Sequence, residues 1–334
     1  MRIMPLLLAG VAFAFNNLHG EDFELKGDIR ARNQTLLNRY NGAPDMTTFQ
    51  MRMRLAPFIK INDNVTLSGR ACYEGSTTPN IDSRLKDNQE LSFDRVNILL
   101  KNNSGSLTLG ETDNPFALNI PQIDKDIPIL GAFGQLPINK SLKMDFLFDA
   151  GRLITQDTKT KSTGLQINLQ EQYEKFSFSG NVGFQHFYDF DNNFRYSNSK
   201  HAQFDILSSG FSLSTGNGKR FPVKIFGEFL YNFSMPEQNK AFMAGINVGD
   251  SSKPRGLFAS FNYRWIERDS LVAGLSARDS PLSNMDNFIF SAEYRLNKNL
   301  LAYAINGNPK HIVKTGLKDT QRLKYIETGL RINF

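Results

Sequence analysis

The chain has 334 residues, 22% of them charged, with a formal net charge of +6 and a single cysteine, Cys72. One cysteine excludes an intramolecular disulfide and a cysteine metal cluster, and a mild basic excess with no basic run excludes the usual routes to nucleic-acid binding. No stretch reaches the ~20 apolar residues of a spanning helix, so a membrane protein with this sequence must cross as a β-barrel.

The first residues read as an export signal. Arg2 supplies the positive start, Ile3 to Val11 the short apolar run, and Ala12-Phe13-Ala14 a small-x-small cleavage site. Cleavage is expected near residue 14 or near residue 20, which makes 1–20 the signal and 21–334 a single barrel domain.

After the signal the pattern has a period of two, the period of a strand with one apolar face. Phe23, Leu25, Gly27, Ile29 and Ala31 alternate with Glu24, Lys26, Asp28, Arg30 and Arg32. Phe49, Met51, Met53 and Leu55 alternate with Gln50, Arg52, Arg54 and Ala56. Beyond the turn Asn62-Asp63-Asn64, Val65, Leu67, Gly69 and Ala71 alternate with Thr66, Ser68, Arg70 and Cys72. These runs match the ~9–11 residues of a tilted membrane strand and exceed the ~5–6 of an ordinary soluble one.

Connections alternate as well. Short turns fall at 62–64, 102–105, 173–175, 215–220, 250–255 and 297–299. Long polar connections fall at 75–90, 189–200, 269–284 and 308–320. That is the barrel pattern, with the short turns at the periplasmic side and the long connections outside. A first count finds one strand too few for the chain to return to the correct side between 105–112 and 162–173. Pro128 to Leu136 supplies it, turning at Ile138-Asn139-Lys140. The expected fold is all-β: a transmembrane antiparallel up-and-down barrel of about sixteen strands. The 28 Phe and 10 Tyr would then supply aromatic girdles at its two rims.

The last run, Tyr325 to Phe334, alternates strictly. Ile326, Thr328, Leu330, Ile332 and Phe334 share one face, and Tyr325, Glu327, Gly329, Arg331 and Asn333 the other. It resembles the closing strand of Gram-negative outer-membrane barrels, which typically stops on Phe. Two further stretches carry a closer likeness. One is Phe93 to Val96 with Leu107 to Phe116. The other runs from Pro222 to Asn232 through Ala244 to Gly249, Gly256 and Tyr263, and ends at Glu267 to Ser270 with Leu275-Ser276. Together they resemble a family of predicted porins of Gram-negative bacteria, over most of the mature chain. The resemblance implies an outer-membrane location, surrounding lipid and a β-barrel. One departure is Glu111, which follows Leu109-Gly110 where family members usually carry Arg.

A barrel of ~16–18 strands leaves an aqueous channel, and its selectivity depends on the charges in its narrowest part. Inward positions on the first four strands hold Arg30, Arg32, Arg52, Arg54, Arg70 and Arg95. Strand counting places all six in one mid-barrel band. The stretch from Thr112 to Ile127 is too long for a hairpin turn and carries Asp113, Asp124 and Asp126. It is expected to fold into the lumen and face the arginines, an arrangement that resembles general porins. The competing expectation is that the arginines are ordinary solvated lumen residues, paired with Glu24, Asp28 and Glu74.

The function expected is passive diffusion of small polar solutes, anion-leaning, with no cofactor and no metal. A non-conducting structural or binding barrel is the alternative, and a secreted soluble β-protein is a third reading. General porins are commonly trimers, and a homotrimer is expected on that ground alone. Catalysis is not expected. His19, His186, His201 and His311 form no evident constellation with a nucleophile, and Gly210-Phe-Ser-Leu-Ser214 lacks the second glycine of a G-x-S-x-G elbow. His186 falls on the outward face by parity, in an interfacial aromatic role.

Overall fold

The computed structural model describes residues 22–37, 45–76, 90–116, 127–139, 141–154, 160–189, 203–215, 221–272, 284–312 and 323–334. The expected signal at 1–20 lies outside them. The described residues form one antiparallel sheet. Its first half comprises β1 (Phe23–Leu37), β2 (Met46–Asn62), β3 (Val65–Ser76), β4 (Glu90–Asn102), β5 (Gly105–Thr112), β6 (Ile129–Asn139), β7 (Met144–Leu153), β8 (Lys161–Gln172) and β9 (Phe176–Tyr188). Its second half comprises β10 (Gln203–Thr215), β11 (Val223–Asn232), β12 (Lys240–Gly249), β13 (Leu257–Ile266), β14 (Met285–Arg295), β15 (Leu300–Gly307), the two-residue β16 (Lys310–His311) and β17 (Lys324–Asn333).

From β1 to β15 each strand pairs with its neighbour in sequence, β15 pairs with β17, and β17 pairs with β1, so the sheet closes on itself. β16 is not an extra wall strand. It pairs with β14 in the register already set by β15, across a break at Asn308-Pro309. A proline has no N–H to give the ladder, which interrupts it there. With β15 and β16 counted as one, the barrel has the sixteen strands expected from the sequence, including β6 in the segment that parity required.

The short turns are built the same way several times. Asn62 Oδ1 accepts the N–H of Asn64 at 2.9 Å, and Asn102 Oδ1 accepts those of Ser104 and Gly105 at 2.8 and 3.0 Å. Asn139 does the same for Ser141 and Leu142, and Asn297 for Asn299 and Leu300. A short side-chain acceptor that bonds its own backbone two residues on is a turn in itself. Asp250 plays this part with Ser252, whose hydroxyl and amide hold its carboxyl below the usual carboxylate range.

The two faces invert the soluble pattern. On β2, Phe49, Met51, Ile59 and Ile61 are exposed, while Thr48, Gln50 and Arg52 are buried inside. The exposed apolar band continues through Leu165 and Ile167 on β8, Phe211 on β10, Phe261 on β13 and Leu330 on β17. Aromatic residues mark both rims: Phe176, Phe221 and Phe334 toward the short turns, Phe49, Phe233 and Phe288 toward the long connections.

The interior is less open than the strand number suggests. Toward the long connections, inward residues of β9 to β13 belong to one buried apolar cluster: Phe187, Phe204, Ile206, Leu230, Met243 and Ile266. Leu271 and Val272 join it, as do Ile127 and, from β6 and β7, Ile129, Phe133 and Leu153. The expectation that 269–284 is a polar connection lying outside is therefore corrected at its start. Asp269 to Val272 are buried, and Asn232 Nδ2 donates to the Asp269 carbonyl at 2.7 Å. The apolar pair Leu271-Val272 turns the segment inward because the mouth offers it an apolar surface to cover.

The closing seam depends on one close approach. Gly27 and Phe334 exchange backbone hydrogen bonds of 2.8 and 3.0 Å. A Cβ on Gly27 would lie 2.6 Å from the Phe334 ring and 2.7 Å from the Arg54 carbonyl oxygen. Gly27→Val is expected to destabilise the barrel by about 1–3 kcal/mol, the usual range for overpacking. Urea unfolding of the refolded barrel in lipid, compared with Gly69→Val where a Cβ meets nothing closer than 3.6 Å, checks this.

Candidate functional site

The site starts from strand parity. Even-numbered residues of β1, β2 and β3 point inward, and closure brings the odd-numbered inward residues of β17 beside them. Register then sets the neighbours. Arg30 lies opposite Arg52 on one side and Arg331 on the other. Asp28 lies opposite Arg54, Arg52 opposite Glu74, and Arg70 opposite Arg95. The six arginines singled out in the sequence thus form one contiguous basic wall over β1 to β4, and Arg331 of β17 extends it.

Like charges directly opposite one another destabilise a sheet, so this wall needs carboxylates. Asp28 accepts from Arg54 Nε at 2.7 Å, and Arg52 lies 3.9 Å away. Asp113, the first residue after β5, pairs with Arg95 through both guanidinium NH groups. The deepest carboxylate is Glu327, 2% exposed. It accepts from Arg32 at 3.4 Å, from Gln34 Nε2 at 2.7 Å, from the Tyr303 hydroxyl at 2.9 Å and from the Tyr325 hydroxyl. Arg32 Nε also donates to Gln50 Oε1 at 2.7 Å, and the Arg331 guanidinium sits 5.8 Å over the Tyr303 ring.

Two sequence-based expectations need correction. Glu24 does not serve an arginine: it pairs with Lys26 at 2.9 Å near the short-turn rim. Nor are all the arginines solvated lumen residues. Arg30 and Arg32 are buried, and Arg52 is 2% exposed. Asp124 and Asp126, named with Asp113 as acidic partners, lie outside the described residues. Sequence reasoning missed Glu327, Gln50, Tyr303 and Tyr325 as parts of this wall. The available signal was the alternation that puts Glu327 and Arg331 on the inward face; what it lacked was the register of β17 against β1.

Of the segment expected to fold inward, residues 117–126 lie outside the described residues, while 113–116 enter the barrel. Asn114 Oδ1 accepts the Phe116 N–H at 3.1 Å, which tightens the bend. The Phe116 ring then reaches the inner face of β8, where a Cβ on Gly164 would lie 2.5 Å from it. At the far end of the segment Ile127 is buried in the interior apolar cluster. Both described ends of the segment are therefore inside.

His186 faces outward, as parity required. It stacks on Tyr188 at 5.0 Å, and its Nδ1 lies 2.6 Å from Asp205 Oδ1. Ser234 also bonds Asp205, through the other carboxylate oxygen. The carboxylate sits between serine and histidine, so the imidazole does not contact the hydroxyl it would have to activate in a nucleophilic triad. Among the described residues no group of three or more His, Cys, Asp or Glu is placed to hold a metal ion.

No protein-family model matches the chain, and no curated protein does. Solved structures do. OprB of Pseudomonas putida, in a structure at high pH, superposes with a TM-score of 0.69 at 10% identity, over 98% of this chain and 97% of that one. A mutant of the porin of Rhodopseudomonas blastica superposes with a TM-score of 0.56 at 9% identity, over 93% of this chain and all of that one. The shared feature is the closed antiparallel barrel of sixteen strands.

The Glu327 network makes a sharp prediction. Glu327→Ala leaves buried Arg32 without its carboxylate and is expected to cost about 3 kcal/mol or more. Glu24→Ala removes an exposed pair and is expected to be near neutral. Parallel urea titrations of the two refolded variants test the contrast.

Proposed function

We propose that the protein is an outer-membrane porin of a Gram-negative bacterium, a channel for passive diffusion of small polar solutes that leans toward anions. The observation that carries this reading is the contiguous arginine wall inside a closed sixteen-strand barrel, next to a segment that folds in from β5. On this wall Arg30, Arg32, Arg52, Arg54, Arg70, Arg95 and Arg331 outnumber Asp28, Glu74, Asp113 and Glu327. The surplus positive charge raises the local concentration of anions along the inner face. The carboxylates do not match the arginines one for one: Asp28 alone lies between two, Arg52 and Arg54.

The membrane setting follows from two physical requirements. Every wall strand has a partner on both sides, so no sheet edge is left open to hydrocarbon. The outward face is apolar between two aromatic rims, the form that a lipid-facing band takes. The first twenty residues act as the export signal on this reading, and a homotrimer is the expected assembly.

A second reading has its own support. Burial of Arg30, Arg32 and Arg52, together with the apolar cluster on the far wall, favours a barrel that is closed and binds or anchors at the cell surface without conducting. One experiment separates the two. Mature protein refolded into a planar bilayer is expected to give single-channel current, with a reversal potential under a salt gradient on the anion side. Arg52→Ala with Arg54→Ala is expected to move that potential toward cations, since Asp28 then loses its cations. Current with an unchanged potential removes the arginine wall as the selectivity element, and no current from a folded barrel favours the second reading.

A further inference from the structure

Near the short-turn rim the inner wall of β9 to β14 bounds a cavity of about 600 Å³, a size that suits a small molecule. One polar row crosses it. Ser177 on β9 lies opposite Ser214 on β10, Ser214 opposite Lys224 on β11, and Lys224 opposite Asn247 on β12. All four line the cavity. Parity turns them inward: Lys224 shares its face with buried Phe226, Glu228 and Leu230, and Ser214 shares its own with buried Ser208 and Ser212. The row belongs to β9 to β12, apart from the arginine wall of β17 and β1 to β4.

The other charged groups at the cavity are engaged by the turn that follows β12. Glu293 Oε2 accepts from the Ser251 hydroxyl at 2.6 Å, and Asp250 Oδ1 accepts the Ser252 N–H at 2.7 Å. Arg295 donates from Nε to the Ser251 carbonyl and from Nη1 to the Lys298 carbonyl at 3.3 Å. Lys224 takes no part in these contacts and forms no ion pair among the described residues. Beside it, Asn247 Oδ1 is buried without a hydrogen-bond partner, and a donor placed there would recover the cost of leaving it unmet. The row thus offers an ammonium and a hydroxyl to an oxyanion, and an acceptor to a donor next to it. Residues directly opposite across strands have Cβ atoms about 5 Å apart, so one small molecule can meet all three. Glu293 and Asp250, which also line the cavity, disfavour a second negative charge.

We infer that this cavity is a binding subsite for a small monocarboxylate that carries a hydroxyl or ammonium beside its carboxylate. Lys224 holds the carboxylate, the Ser214 hydroxyl adds a donor, and Asn247 Oδ1 accepts from the neighbouring group. Phe258 and Pro222 give apolar cover to the rest of the molecule. The subsite differs in kind from the arginine wall. There guanidinium forks are matched to carboxylates; here a point charge on a flexible stem is left for a solute. As a stop on a diffusion pathway the subsite rests on the channel reading. As a binding site it does not.

Saturation-transfer NMR with lactate on the refolded mature barrel reads the subsite directly. Lactate is expected to bind, propionate (which lacks the hydroxyl) to bind more weakly, and malate to bind no more tightly than lactate. Lys224→Gln removes a charged hydrogen-bond donor and is expected to weaken lactate by about tenfold or more. Asn247→Leu is expected to bring lactate down to the level of propionate. Should Lys224→Gln refold poorly, Ser214→Ala reads the same corner and is expected to weaken lactate by a smaller factor. No lactate binding to the folded wild type overturns the inference, as does unchanged binding in Lys224→Gln or in its Ser214→Ala substitute, or malate binding more tightly than lactate. Planar-bilayer current on the same preparation separates the two readings. A barrel that conducts without binding lactate defeats the subsite alone, and one that binds lactate in a Lys224-dependent way without conducting defeats the channel reading alone.

Discussion

Closure of the backbone hydrogen-bond ladder is the constraint on which this molecule depends. A sheet with an apolar outer face can neither leave that face in water nor leave its edges unpaired in hydrocarbon. Pairing β17 with β1 removes both edges at once. It needs two backbones to pass closely at Gly27, where the Phe334 ring lies across the strand. The same pairing brings Glu327 to Arg32 and Arg331 to Arg30, residues nearly three hundred positions apart in sequence. The seam that closes the wall also assembles the site.

Inside, two kinds of surface divide the barrel. Over β17 and β1 to β4 the wall is cationic and is held by Glu327, Asp28 and Asp113. Burying a guanidinium is tolerable only when its charge is matched and its donors are occupied, and Arg32 meets that condition through Glu327 and Gln50. Over β9 to β13 a cluster of inward apolar side chains near the long connections is buried. Strand number alone would leave a wide lumen; the buried apolar cluster, with Phe116 and Ile127 inside it, fills part of that space.

Much of the wall was legible in the sequence, for a physical reason. Side chains alternate across a strand with a period of two, so Arg30, Arg52 and Arg70 could be assigned to the inner face from their own neighbours. Strand count followed from parity, because each strand must return the chain to the opposite rim. The partners were harder. Asp113 was found because it begins an overlong connection, but Glu327 and Tyr303 look like ordinary polar-face residues until the closing register is known. Leu271 and Val272 were read as part of a polar connection, since two apolar residues do not establish a period.

The amino-acid sequence by itself determined a barrel of sixteen strands, the faces of those strands and the band of arginines inside, because each of these depends on local alternation and on the lengths of connections. Only the tertiary structure decided that Glu24 serves Lys26, that Glu327 serves Arg32, that an apolar cluster is buried on the far wall, and that Phe116 lies against Gly164. Those contacts depend on register between distant strands and on which side chains meet across an enclosed volume, and alternation along a single strand carries no information about either.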